Sequence, residues 1–195
     1  MEKTFEQIAS TNLKIVLIGP ESTGKTTLAR QLAKAFQTEW VPEYMRSYLQ
    51  EKWDKSKTTC TREDLIPIAE GQLELENKYN KKAKRYLFCD TNLLELQVYS
   101  EYYFDGYCPP KIEQANAELN YDLYLLTYID VPWEEDDLRD RPYDRSTLFC
   151  RFENELKKRE LPYIVLKGSA SSRLEQAKKA IGDYTKQLYA NRIRS

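Results

Sequence analysis

Residues 19–26 read Gly-Pro-Glu-Ser-Thr-Gly-Lys-Thr and fill the pattern G-x-x-x-x-G-K-[ST] at every fixed position. Each fixed residue suits a polyphosphate. Gly19 and Gly24 let the chain turn so that backbone N–H groups of Glu21, Ser22, Thr23 and their neighbours point inward around phosphates. Lys25 places a point charge on the β- and γ-phosphates, and the Thr26 hydroxyl suits Mg²⁺. A helix opening here adds the positive end of its dipole, with Thr27 in the first turn. The expected occupant is a nucleoside triphosphate, ATP with Mg²⁺. The pattern alone does not separate a kinase from a GTPase, a motor or a binding module. The guanine-reading N-K-x-D element of GTPases is absent from the chain, as is an extended second domain of the kind ring-forming ATPases use.

Further candidates are charged. Asp90 ends the apolar run Tyr86-Leu87-Phe88-Cys89. A carboxylate there sits beside Mg²⁺, directly or through water; the alternative is a cap for the helix that starts near Asn92. Glu43 follows a short extended piece, within Pro42-Glu43-Tyr44-Met45-Arg46. It could orient an acceptor hydroxyl or take its proton, or be a first-turn Glu favoured by the helix dipole. Arg46, about one turn on, could bind a phosphate or pair with Glu43. Between residues 134 and 146, Arg139, Arg141 and Arg145 are mixed with acids. Such a stretch reads as a lid whose arginines neutralise a transferring phosphoryl group, or as a solvated loop of weak ion pairs. Trp40, Tyr44, Tyr103 and Trp133 are each placed to stack on a nucleoside base, and spacing does not choose among them.

These residues need a scaffold. Leu13–Ile18 is a compact apolar strand ahead of Gly19, and Gly24 to about Gln37 is helical, with Leu28, Leu32, Ala35 and Phe36 on one face. Thr38–Val41 is extended. Helices are expected over Glu43–Trp53, Arg62 to about Lys84, Asn92–Phe104, Lys111–Leu119 and Ser146–Arg159. The last helix carries Leu174, Ala177, Ile181, Tyr184 and Leu188 at spacings of three and four. Thr61 with Asp64 resembles a capping box. Further strands are Tyr86–Cys89, Leu123–Ile129 and Tyr163–Leu166. Strands alternating with helices predict an α/β fold, a parallel sheet covered on both faces, with ligands at the carboxyl ends of the strands. Gly19–Thr26, Glu43, Asp90 and Asp130–Trp133 all fall at those ends.

The 195 residues suit one domain over 1–195, with a core over about 13–190. The chain has no histidine, which excludes histidine triads and histidine metal sites. Lys+Arg is 30 and Asp+Glu is 31, so no overall basic pull draws it to nucleic acid or anionic membrane. No apolar run nears the roughly 20 residues that span a bilayer, and Met1–Asn12 lacks an apolar signal core. A cytoplasmic protein is expected, its four cysteines free thiols in buried or half-buried positions.

The chain resembles the ribosylnicotinamide kinase domain of the bacterial NadR family and its stand-alone relatives. Gly19-Pro20-Glu21-Ser22-Thr23-Gly24-Lys25-Thr26-Thr27-Leu28-Ala29, Val41-Pro42-Glu43-Tyr44-Met45-Arg46, Asp90-Thr91 and Asp130-Val131-Pro132-Trp133 through Leu138-Arg139 carry the resemblance. It implies a nucleoside-kinase-like P-loop fold with strand order 2-3-1-4-5, and phosphoryl transfer from ATP to the 5′-hydroxyl of nicotinamide riboside. By the same resemblance Gly24, Lys25 and Thr26 bind ATP and Mg²⁺. Glu43, Tyr44, Arg46, Asp90 and Trp133 face the acceptor, a small nucleoside, and Arg139 and Arg145 belong to the lid. Some members place Trp before the Glu-Tyr pair, where this chain has Pro42.

Overall fold

The computed structural model describes residues 5–138 and 143–194; Arg139 and Arg141 lie outside the described residues. The elements are β1 (Leu13–Ile18), α1 (Lys25–Phe36), β2 (Glu39–Val41), α2 (Tyr44–Ser56), α3 (Leu65–Asn80) and β3 (Tyr86–Asp90). They continue with α4 (Leu93–Tyr103), α5 (Pro110–Glu118), β4 (Leu123–Thr127), α6 (Arg145–Lys158), β5 (Tyr163–Leu166) and α7 (Ala170–Arg194). The strands form one parallel sheet in the order β2-β3-β1-β4-β5. Fold class and strand order are as expected from the sequence.

β1 is apolar on both faces because helices cover both. Val16 and Ile18 pack with Leu94, Val98 and Tyr99 of α4 and Phe152 of α6. Ile15 and Leu17 pack with Leu28 and Leu32 of α1 and Ala177 and Ile181 of α7. A third cluster, with Leu65 and Ile68 of α3, Leu93 and Leu96 of α4 and Ile112 of α5, joins these helices to one another. Lys14 breaks the apolar run and is paired at 3.1 Å with Glu76, both buried.

Several boundaries differ from expectation. Residues 62–64 form one 3₁₀ turn, and the α-helix proper ends at Asn80 rather than near Lys84. The Thr61–Asp64 capping box forms at that start. β4 stops at Thr127, two residues short, although Tyr128 N–H still reaches Leu166 O at 3.0 Å, and the Thr127 hydroxyl turns into the loop after β1. Cys60, Cys89 and Cys108 are buried or half-buried thiols, but Cys150 is exposed on α6. No helix among the described residues is long and apolar enough to cross a membrane.

Gly71, in the middle of α3, is where α2 lands. A Cβ at Gly71 would sit 2.1–2.5 Å from ring atoms of Tyr44. Replacing helical Gly by Ala gains up to about 1 kcal/mol in propensity, but overpacking costs about 1–3 kcal/mol, and here a whole ring edge must retreat. Gly71→Ala is expected to lower the thermal midpoint by several degrees, measured by calorimetry. A raised midpoint would contradict the packing.

Candidate active site

The loop after β1 closes around its own backbone. Ser22 (φ 53°) and Gly24 (φ 82°) adopt left-handed conformations, and this change of hand turns successive N–H groups toward one centre. Gly24 is also the N-cap of α1, so the helix begins at Lys25. Gly19 (φ 143°) lies against β4, where a Cβ would come within 2.7 Å of the Thr127 hydroxyl and 2.9 Å of its carbonyl. The Thr23 hydroxyl is spent inside the loop, donating to Pro20 O at 2.7 Å and meeting Thr127 Oγ1 at 2.7 Å. Thr23 therefore offers a ligand its backbone, not its side chain.

Arg173, on α7 and buried, bolts this loop to the sheet. Its guanidinium donates to Thr23 O (2.5 Å), Tyr128 O (2.8 Å) and Gly168 O (3.0 Å) and pairs with Asp130. Asp130 also accepts from Gly168 N at 2.6 Å. The first residue after β4 expected to reach the site is thus part of the brace.

Lys25 is buried, with its ammonium folded onto Gly19 O (2.7 Å) and Pro20 O (3.1 Å) and 3.2 Å from Glu95 Oε1. Burial alone would lower its pKa; the carboxylates of Glu95, Glu43 and Asp90 outweigh that and raise it, so Lys25 stays charged. Glu95, on α4 and only 2% exposed, also accepts Gly19 N–H at 3.2 Å. Burial first, and then Glu43 and Asp90, push its carboxyl up to about 8 against the pull of Lys25. Sequence reading missed Glu95 because it lies in a helix, on no motif. The signal was there: an acid three residues past the N-cap, in a turn whose flanking Leu93, Leu94, Leu96 and Val98 are all core.

Asp90 closes β3, level with Leu17 of β1. It does not cap α4. That role belongs to Asn92, whose side chain accepts from Leu94 N (3.1 Å) and Glu95 N (3.4 Å). Between them Thr91 takes φ 72°, a costly conformation for a β-branched residue. Asp90 is left to accept the Thr26 hydroxyl at 2.5 Å through Oδ2. Its Oδ1 is buried with no hydrogen-bond partner among the described residues. Burial raises its pKa, opposed by the Thr26 hydrogen bond and by Lys25 and Arg30. A hydroxyl and an orphaned carboxylate oxygen are hard oxygen donors, which fits Mg²⁺, an ion that takes few protein ligands and completes its shell with phosphates and water. Among the described residues no group of three acids or cysteines forms a closed protein cage for a metal.

Glu43, N-cap of α2, lines the same cleft and acts electrostatically on Lys25 and Glu95. Its flanks are held by one side chain: Gln72 of α3 accepts Tyr44 N–H at 2.7 Å and donates to Pro42 O at 3.4 Å. Arg46 lines the cleft and reaches across its mouth to Asp136, 2.5 Å away. Arg145 donates to Val131 O (3.0 Å) and Ser22 O (3.4 Å) and lies over Trp133, 5.6 Å from the ring centre. The Ser22 hydroxyl accepts Glu134 N–H at 2.8 Å, joining the lid base to the loop.

The aromatics singled out in the sequence each have packing partners. Tyr44 packs on Gly71, and Trp133 lies beneath Arg145; neither lines the cleft. Trp40 sits under Arg30, 5.0 Å from it, and Tyr103 stacks on Tyr99. Among the described residues, the aromatic side chain that lines the cleft is Tyr99. The cleft measures about 390 Å³, in the range of small-molecule sites. Gly24, Thr26 and Thr27 lie along its length, with Gln31 and Ala170 toward α7 and Met45 and Leu49 toward α2.

Comparison with known proteins agrees with this architecture. Over 125 residues the chain is 30% identical to the trifunctional NAD biosynthesis/regulator protein NadR of Escherichia coli, a match covering 64% of this chain and 30% of the relative. The chain therefore spans under a third of the length of that relative. A NadR crystal structure in complex with NR superposes with a TM-score of 0.72 at 21% identity, covering 90% of this chain and 52% of that one. Thymidylate kinase from Ehrlichia chaffeensis superposes with a TM-score of 0.67 at 15% identity, over 89% of this chain and 100% of that one. Deoxyadenosine kinase from M. mycoides gives 0.60 at 16%, over 88% and 100%. The fold is that of P-loop nucleoside and nucleotide kinases, and the resemblance to NadR read from the motifs holds. The AAA_28 family model, an AAA domain, matches residues 14–173, and the chain belongs to that family.

Proposed function

We propose that this protein is an ATP-dependent kinase that phosphorylates the 5′-hydroxyl of nicotinamide riboside to give nicotinamide mononucleotide. The observation that carries the reading is the facing of two halves in one cleft. A phosphate cradle with Lys25 and Thr26 meets carboxylates from the ends of β2 and β3 and from α4. A module that only senses a nucleotide has no use for the second half. Similarity to NadR supports the choice of acceptor.

In this reading the β- and γ-phosphates draw the Lys25 ammonium off Gly19 O, Pro20 O and Glu95. Thr26 and Asp90 would hold Mg²⁺, which would supply charge neutralisation at the phosphates. Glu43 accepts the proton of the acceptor hydroxyl as that oxygen bonds to the γ-phosphorus and ADP leaves. Arg46, which lines the cleft, and Arg145, held over Trp133, supply positive charge to the negative phosphoryl group in transfer; the resemblance assigns the same role to Arg139, which lies outside the described residues. The backbone amides of residues 21–27 orient the donor.

A second reading, another nucleoside or nucleotide as acceptor, has one observation in its favour. Neither Tyr44 nor Trp133, the aromatics that the NadR resemblance assigns to the acceptor, lines the cleft. An acceptor panel in a coupled ADP assay separates the two, and turnover of a deoxynucleoside with none of nicotinamide riboside would sink the first.

With a competent acceptor present, Lys25→Ala is expected to show no turnover above background. Glu43→Ala should lose about 10²- to 10⁴-fold in kcat. Full activity in Glu43→Ala would remove it as the base. A proton measurement tests the Lys25–Glu95 contact. When phosphates take Lys25, Glu95 loses the cation that lowers its pKa, so that pKa rises further above about 8 and the protein takes up protons. Calorimetric titration of Mg-ATP at pH near 8, in buffers of different ionisation enthalpy, should read uptake in the parent protein and none in Glu95→Gln. Equal values in both would mean that Glu95 does not respond to the nucleotide.

A further inference from the structure

Tyr99 is 5% exposed, and its ring is packed edge-on to Phe152 of α6 at 5.6 Å and stacked on Tyr103 at 6.2 Å. Its hydroxyl oxygen is buried and has no hydrogen-bond partner among the described residues. Buried polar atoms are nearly always satisfied, so such an orphan needs a reason. The residue lines the cleft, one helical turn beyond Glu95 on the same face of α4. Glu95, Glu21 and Glu43 act on it electrostatically, and burial together with those charges raises its pKa well above the ordinary tyrosine value. Tyr99 is therefore a neutral donor and acceptor set among groups that, when ionised, only accept.

That combination defines its partner. A cation would satisfy the carboxylates but leave the Tyr99 O–H without an acceptor. An anion would accept from Tyr99 but be repelled by the glutamates. A hydroxyl does both, accepting from Tyr99 while donating to a carboxylate. We propose that the Tyr99 hydroxyl is a specificity-determining contact for a secondary sugar hydroxyl of the acceptor, selecting a ribonucleoside over its deoxy forms. This rests on the kinase reading of the cleft, and it adds a residue and a preference that neither the motifs nor the resemblance assigns.

Tyr99→Phe is the direct test, because the atom it removes makes no hydrogen bond in the fold. The variant is expected to fold with an unchanged or raised thermal midpoint, and its KM for ATP is expected to stay at the parent value. Its KM for the ribonucleoside should rise about tenfold or more. Run with nicotinamide riboside, adenosine and their 2′- and 3′-deoxy forms, the parent should prefer the ribose, and one of the two deoxy forms should be insensitive to Tyr99→Phe. Turnover in which Tyr99→Phe keeps the parent's acceptor KM and its ribose preference overturns the inference and leaves the kinase reading standing. If the parent neither phosphorylates nor binds any of these nucleosides in equilibrium titration, the kinase reading for nucleosides falls, and the inference with it.

Discussion

An ammonium group taken out of water costs several kcal/mol unless charge and hydrogen bonds replace its hydration, and Lys25 is such a group. Its partners come from separate elements. Gly19 and Pro20 follow β1, Glu95 rides on α4, and the carboxylates of Glu43 and Asp90 add their field from the ends of β2 and β3. For all of them to converge, β3 must lie beside β1 and β2 beside β3, which is the observed order. The sheet topology and the charge of Lys25 therefore constrain each other. A different neighbour for β1 would leave the ammonium buried against carbonyls alone.

The cleft divides along the line of β1. Toward β5 the loop is braced by Arg173 through three backbone carbonyls and one acid, a fixed arrangement with its hydrogen bonds satisfied. Toward β2 lie the carboxyl groups of Glu43, Glu95 and Asp90, the last with one oxygen that has no hydrogen-bond partner among the described residues, and the rim is closed by the half-exposed pair Arg46–Asp136. Exposed pairs of this kind contribute about 1 kcal/mol or less, so this edge opens cheaply. One side is a fixed phosphate cradle, and the other is an acidic wall with a rim that opens cheaply.

The parts of this arrangement visible in the sequence were those governed by local rules. G-x-x-x-x-G-K-[ST] needs only its own backbone, and the parallel order shows in apolar runs without alternation, as in Leu123–Leu126. Asp90 was legible because strand ends are where such sheets bind ligands, though only coordinates show that Asn92 takes the capping role and frees it. Glu95, Tyr99 and Gln72 were not legible. Each is a helix residue whose importance comes from a contact 28 or more residues away or from facing a cleft, and periodicity reports only which face of a helix is buried. Spacing did not choose among the aromatics at 40, 44, 103 and 133, because an aromatic beside a motif is as well used for packing as for stacking.

The Gln72 amide spans the two peptide groups on either side of Glu43. The consequence is a separation of duties between reactivity and address. The carboxylate can act on an acceptor, but where it stands is dictated by the rotation of a neighbouring helix through an uncharged side chain. Side chains along α2 could change without moving Glu43, provided that this one clip stays closed. A change that unfastened it would move the Glu43 carboxylate while leaving every charged group of the cleft in the sequence intact.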